Sequence, residues 1–511
     1  MSLRGLGIAA LAGLAGWGLL PGCRPAAEQV ALPVVISVPF EIDTLDPLAR
    51  DRISNFNFAV HFYEPLVSTN ADLEVVPRLA THWSNPTPTT WLFHLRQGVR
   101  FHGGAPFGAE DVVATFEALR RDPSLELSVY LAPVSSVRAV DAVTVEVRTH
   151  RPVAVLLNKL CSIPIVSREA ASRRRGEAVD GTGPYRLVSW RKGFTVEAER
   201  NEGYWGERPA VRSVRFLLGR GPAESVADVL EGRAQLGPAR GRSDEERVRD
   251  RDDVRFVRRA GLMTRYLGFD VASERNPGVD APENPFRRRE ARLAIAAAVD
   301  RARLVASLPS LAIPAAQLVP AFIFGFDPEV RDEAPDPRRA RELLAAAGIP
   351  RGVGGRLLVR SLAADTAEAL AEALSPLGIA LSVEAVGDVE FFERARREPP
   401  ALFVTRYACS TGDGSDVLDV ALHSPDPSRG YGAMNFGRVA DPELDRRIEE
   451  SAGVLEAAER RERLQAAFRR VREEAWVVPL QVDETAWLVS SRVVFRPRPD
   501  GYVLAGELGV R

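Results

Sequence analysis

Lysine is almost absent from this chain of 511 residues: it occurs only at Lys159 and Lys192, so arginine carries nearly all the positive charge. A coding sequence rich in G and C accounts for that bias without invoking a ligand. Cysteine is scarce as well, with Cys23, Cys161 and Cys409 as its only occurrences. Three such distant residues make no disulfide framework, and Cys161 and Cys409 are expected as free thiols even though an oxidising compartment would permit a bridge. Net charge is low, -2 at pH 7, which removes the electrostatic reason for binding nucleic acid or an anionic membrane. The six histidines, at 61, 82, 94, 102, 150 and 423, contain no close pair at helical ligand spacing, so no metal site built from sequence neighbours is expected. No G-x-S-x-G elbow, P-loop, G-x-G-x-x-G turn or H-E-x-x-H helix is present, and no cofactor is implied. Asp43 and Asp46 could pair for acid and base work, but Asp46 precedes Pro47 and reads as a turn former. The chain therefore reads as a non-enzyme, without repeats or low-complexity segments.

What is present points to export and to several packed lobes. A single core stops growing near roughly 250 to 300 residues, and this chain is 45% hydrophobic and 27% charged, as soluble globular proteins are. Arg4 precedes an apolar run from Leu6 to Leu20 that is too short and too rich in glycine for a membrane span and fits a secretory signal. Leu20, Pro21, Gly22 and Cys23 look like a lipobox, which makes residues 1–23 a signal peptide and Cys23 the lipidation site. The alternative is ordinary cleavage near Ala26 or Ala27.

The most organised stretch runs from residue 90 to 119. Trp91, Phe93 and Leu95 alternate with more polar neighbours, the period of a half-buried strand. Gly98 permits a reversal, Val99 and Phe101 predict a second short strand, and Gly103 with Gly104 supplies the next bend. A helix follows, with Gly108 at the cap, Glu110 and Asp111 in the first turn, and Val112, Val113, Phe116 and Leu119 on the packed face. The string LRQGVRFHGGAPFGAEDVVATFEAL resembles the signature segment of the bacterial extracellular solute-binding proteins of family five, the peptide and nickel binders of ABC transporters. That family usually has Thr or Ser where this chain has Gly108.

Further segments carry the same resemblance. They include the opening strand Val34 to Val38 followed by Leu45, Asp46 and Pro47, and YEPLV at the end of a helix expected over 56–67. GTGPY at 181–185, NEGYWG at 201–206, MTRYLGFD at 263–270 and NPFRRREARLAIAAAVDR at 284–301 add to it, the last predicting a helix with Leu293, Ile295, Ala298 and Val299 packed. DPRRARELLAAAG at 336–348 reads as a helix capped by Asp336, begun by Pro337 and stopped by Gly348. Strands are expected at 356–361, 381–385, 402–405, 477–482 and 487–489, and helices at 365–377 and 440–473.

The resemblance implies an α/β periplasmic-binding-protein fold of the large three-lobed type, with a ligand cleft between lobes. Lobe I would comprise 30–55, 176–265 and 476–511, lobe II 56–175 and lobe III 266–475. The positions implied to meet ligand are Asp51, Arg52, Ile53, Ser54 and Asn55 after the opening strand, Arg265 and Tyr266, and Tyr407, Ser410, Asp413 and Asp416. Peptide-binding relatives anchor the ligand's amino group with an Asp three residues after a Trp. Here Tyr407 takes the Trp position and Ser410 the Asp position, so Asp413 or Asp416 substitutes only if the loop shifts. The implied partners are a small solute or peptide and the permease subunits of an ABC importer, with a lipid-anchored monomer in the periplasm or cell envelope. A non-peptide binder of the same fold, for nickel or an oligosaccharide, and a secreted hydrolase are the alternatives.

Overall fold

A computed structural model describes residues 32–50, 52–172 and 179–511, and for Ile53 the backbone alone. The leader with Cys23, and Asp51, lie outside the described residues.

Four antiparallel strands form a small sheet in the order Ala80–Thr87, Thr90–Leu95, Thr144–Thr149, Val134–Asp141. Trp91 faces Val147 and Phe93 faces Val145 across the inner pair, all four buried, as the period of two requires. Helix Ala109–Arg121 covers that face with Val112, Phe116 and Leu119, none of them exposed. Its cap works without a side chain at Gly108: the Gly108 N–H donates to Asp111 Oδ2 at 2.9 Å, and Asp111 Oδ1 accepts from the Arg168 N–H at 2.9 Å. The strand expected at Val99 to Phe101 is reduced to one bridge between Arg100 and Pro106, because the Phe101 N–H closes a tight turn onto the Ala105 carbonyl.

The helix expected over 56–67 lies at Ile53–Phe62 instead. Pro65 holds Glu64 extended, so the helix ends two residues earlier and Val67–Thr69 pairs as a strand with Val75–Pro77.

Among the described residues eleven strands join one large sheet. Its middle is a pair of long antiparallel strands, Val254–Phe269 and Val477–Ser490, of 16 and 14 residues. On one side Leu402–Ala408, Gly354–Arg360 and Ala380–Val386 extend the sheet, the last three running parallel to one another. On the other side come Leu236–Ala239, Val34–Ser37, Ser213–Leu217, Thr195–Arg200 and Tyr185–Arg191. The two short runs expected at 477–482 and 487–489 are thus one strand. Its polar middle, Asp483 to Thr485, sits where the pairing register with the other long strand breaks, between Ala260 and Thr264.

Helix Ala364–Leu374 packs Ala367, Leu370 and Leu374 with Leu357, Val359 and Val404 on one face of the parallel strands. Leu358 and Phe403 point to the opposite face, into a cluster with Phe391, Val417, Leu418 and Phe468. Helix Arg289–Ala298 buries Ala291, Ala294 and Ile295, whereas Leu293 and Ala298, expected inside, are only half-buried. The charged segment 440–473 is two helices, Pro442–Gly453 and Ala457–Glu474. The break is set by the Glu456 carboxylate, which accepts from the Ala458 and Glu459 N–H groups. Cys161 and Cys409 are both free. No helix of the described residues is long and apolar enough to cross a membrane.

Candidate functional site

Strands Gly354–Arg360 and Leu402–Ala408 lie side by side and parallel, with Leu358 opposite Phe403 and Val359 opposite Val404. The chain leaves the first of them toward helix Ala364–Leu374 on one face. It leaves the second toward helix Ser415–Ala421, whose Val417, Leu418 and Ala421 pack on the other face. Two neighbouring parallel strands whose exits diverge leave a crevice beyond their carboxyl ends, the position at which open α/β sheets take ligands. Arg360, Arg406, Tyr407 and the turn to Ser415 line this end.

Tyr407 stands opposite Thr264 on the long strand and is half-buried; burial raises its phenol above the ordinary range, and the nearby carboxyls of Asp416 and Asp419 add to that. Ser410 is exposed; its N–H donates to the Ala408 carbonyl at 2.9 Å, and its hydroxyl has no hydrogen bond among the described residues. Asp413 is not free to meet a ligand. It is 3% exposed, and its two oxygens accept from Arg460 Nη1 and Nη2 at 2.5 and 2.8 Å, while Oδ1 also accepts from the Ser415 N–H.

Asp416 and Asp419 lie one turn apart on helix Ser415–Ala421. Asp416 Oδ2 accepts from the Thr411 hydroxyl at 2.8 Å and from the Thr411 N–H at 3.2 Å, yet burial dominates and lifts its pKa to about 6. Asp419 is lifted to about 7, first by burial and then by the negative charges of Asp416 and Asp413. Its Oδ1 is enclosed and has no hydrogen-bond partner among the described residues. Helix Leu156–Leu160 meets this turn: Asn158 Nδ2 donates to the Thr411 carbonyl at 2.8 Å, and the positive charge of Lys159 acts on both carboxyls.

Arg265 pairs across the sheet with Arg406 on one side and Gln481 on the other. It is anchored: Nε donates to Asp483 at 2.8 Å, and Nη1 donates to the Leu362 carbonyl and the Thr366 hydroxyl at 2.9 and 3.1 Å. Arg360 pairs with Asp388 and lies over the Phe392 ring, 5.2 Å from its centre. Tyr266 is 2% exposed and belongs to the apolar cluster with Leu358 and Phe403, not to the crevice.

Of the positions implied to meet ligand after the opening strand, Arg52 to Asn55 form the start of helix Ile53–Phe62. Arg52 is its exposed N-cap, Ile53 its first residue, and half-buried Ser54 donates to Asn55 at 3.4 Å. Asn55 turns inward, its Nδ2 donating to Asp43 and to the Thr44 carbonyl. The structure thus gathers Tyr407, Ser410 and Asp416 near the crevice. It adds Arg360, Arg406, Asp419, Asn158 and Lys159, which sequence reading passed over. Two signals were available for these: the rarity of Lys159 and the three-residue spacing of Asp416 and Asp419. No group of three or more His, Cys, Asp or Glu side chains among the described residues is arranged to hold a metal ion.

The family model described as "Bacterial extracellular solute-binding proteins, family 5 Middle" matches residues 74–428. The glutathione-binding protein GsiB of Salmonella paratyphi A is 26% identical over 452 residues, covering 84% of this chain and 86% of that protein. HbpA2 from Haemophilus parasuis has the same fold, with a TM-score of 0.82 at 20% identity, covering 94% of this chain and all of that one (100%). The ABC transporter-associated periplasmic binding protein DppA from Helicobacter pylori, in complex with the peptide STSA, superposes with a TM-score of 0.71 at 19% identity over 93% of this chain and 98% of its own.

Proposed function

This chain belongs to the bacterial extracellular solute-binding proteins of family 5, and from that premise we propose that it is the extracytoplasmic binding component of an ABC importer. It captures a peptide or a solute of similar size and delivers it to the membrane permease subunits. The observation that carries this reading is the divergence of two neighbouring parallel strands beyond Arg360 and Tyr407, toward helices on opposite faces of the sheet. The named ligands of the relatives, glutathione for GsiB and the peptide STSA for DppA, support the size class. Binding rather than catalysis is the role, and ligand is held between lobes I, II and III as bounded above.

Export and anchoring belong to the same reading. Leu20 to Cys23 support lipidation at Cys23 and a monomer tethered at the outer face of the membrane. Cys23→Ala is expected to leave an unlipidated precursor, and normal processing of that variant would reduce the location to soluble periplasm. The test of the binding role is native mass spectrometry of the protein purified from its own host. A retained solute appears as added mass that is lost on partial unfolding, whereas bare protein from a host growing on peptides counts against capture.

A further inference from the structure

The hairpin of Val67–Thr69 and Val75–Pro77 turns through Asn70, whose side-chain oxygen accepts from the Asp72 and Glu74 N–H groups at 2.9 and 3.0 Å. Leu73 follows this turn at φ 65°, the left-handed position that such hairpins give to glycine. A leucine there works against its own backbone preference. What offsets this lies outside the hairpin. The Leu73 side chain joins the apolar cluster of Tyr266, Cys409, Val417 and Leu418 and is only 8% exposed, whereas Val67 at the base of the hairpin belongs to a separate cluster with Phe62 and Phe93.

The same turn is tied in a second direction. Arg259 Nη1 donates to the Ala71 carbonyl at 3.0 Å and Nη2 to Asp72 Oδ1 at 2.6 Å, and Arg496 pairs with Asp72 as well. Arg259 lies just before the register break of the two long strands, between Ala260 and Thr264, and Tyr266 lies beyond it. The hairpin therefore bridges the break, held to the long strand on one side and packed on its continuation on the other. Leu73 also meets the turn that follows strand Leu402–Ala408. Gly412 lies so close that a Cβ on it would stand 3.6 Å from the Leu73 Cβ and 3.3 Å from the Leu73 carbonyl oxygen. That turn carries Ser410 and is held from another side by Asn158, whose Nδ2 donates to the Thr411 carbonyl.

We infer that Leu73 is a positioning residue for the captured solute, a strap that seats the turn Cys409–Gly412 as the sheet bends at the break. It rests on the solute-binding reading above. Bending between Ala260 and Thr264 moves the cluster of Tyr266 and Cys409 relative to Arg259, and the hairpin follows Arg259. Leu73 is buried in one arrangement and uncovered in the other. Its burial stabilises the first, while the left-handed backbone, fixed by Asn70, is common to both. Leu73 thus biases the equilibrium toward the arrangement in which the turn with Ser410 is in place, without touching solute itself.

The first arm of the test needs no solute. A Cβ separation of 3.6 Å suits a disulfide, so Leu73→Cys with Gly412→Cys is oxidised with diamide in a full chain that also carries Cys23→Ala, Cys161→Ser and Cys409→Ala. Diamide takes up the two thiol hydrogens, and dithiothreitol returns them. Small-angle scattering should give the crosslinked protein a smaller radius of gyration than the same protein in dithiothreitol. Failure of the folded variant to crosslink, or an unchanged radius, overturns the strap, with solute capture left standing. Gly412→Cys is strained at φ 78°, so a second arm uses Leu73→Gly, which keeps the backbone conformation and removes the side chain. Calorimetry with reduced glutathione, or with the solute released from host-purified protein if glutathione is silent, should show about tenfold weaker binding, while the ligand-free melting temperature stays near that of wild type. A lower melting temperature with unchanged affinity gives Leu73 a structural role alone and overturns the inference. Host-purified wild type that carries no solute and does not bind glutathione takes down solute capture and the positioning role together.

Discussion

The Glu64 carboxylate accepts a hydrogen bond from Trp205 Nε1 at 2.7 Å. It also accepts from the Tyr204 hydroxyl at 2.7 Å and the Thr182 hydroxyl at 2.8 Å, and Arg78 pairs with it at 2.7 Å. Glu64 is 1% exposed, so these partners replace all of its water. Glu64→Ala strands the Arg78 charge and three donors and is expected to cost about 3 to 5 kcal/mol, seen as a lower urea midpoint. Glu64→Gln, which keeps the shape, should cost less. An unchanged midpoint for Glu64→Ala would mean that water enters and satisfies the site.

That carboxylate also illustrates what was legible in the sequence. YEPLV, GTGPY and NEGYWG read as three separate landmarks, and the structure joins them at one buried charge. Strong periodicity and caps were readable: the alternation of Trp91, Phe93 and Leu95, and the Asp336 cap accepting from the Arg339 N–H. Helix Asp388–Arg397 was missed because only Phe391 and Ala395 are buried and charged residues dominate the rest. The role of Leu73 could not be singled out by pattern, since it reads as one more apolar residue of a hairpin. Its partners Tyr266 and Cys409 reach it only through the fold.

Asp413 should prove structural. Its pair with Arg460 is buried on both sides, and Arg460 Nε is further engaged by the Ser451 carbonyl at 3.1 Å. Asp413→Asn is expected to destabilise the fold by about 3 kcal/mol, in the range for breaking a buried pair. Solute affinity of the folded fraction should stay within about twofold of wild type. A large loss of affinity at unchanged stability would move the ligand anchor to Asp413 after all.

The raised carboxyls of Asp416 and Asp419 give stability a defined pH dependence. In the folded chain they hold their protons up to about pH 6 and 7, whereas the unfolded chain releases them near pH ~4. The folded state therefore binds more protons between pH ~4 and ~7, and the unfolding free energy falls as pH rises through that window. Below it both states are protonated and no penalty exists. Asp419→Asn should accordingly raise the melting temperature at pH 8 and leave it nearly unchanged at pH 4.5. Equal shifts at both pH values would point to packing instead of charge.

Closure on the solute is expected to work through the two long strands. Val254–Phe269 pairs with Leu402–Ala408 through its second half, from Met263 onward, and Val477–Ser490 pairs with Leu236–Ala239 through its last residues, so each strand belongs to both sides of the sheet. Their mutual register breaks between Ala260 and Thr264, and a break of this kind concentrates bending in a few residues. Gly261 lies at that point, where an added Cβ would come within 3.0 Å of the Asp483 carbonyl. A ligand shifts an open and closed equilibrium only by its differential affinity for the two states, so a change that hinders bending must appear as weaker binding. Solute recovered from host-purified protein should shrink the radius of gyration of the wild type in small-angle scattering when added back. Gly261→Ala should reduce that contraction and weaken affinity about fivefold or more, the low end of conformational coupling. If Gly261→Ala binds and contracts as wild type does, bending lies elsewhere; if the wild type binds without contracting, the site needs no closure.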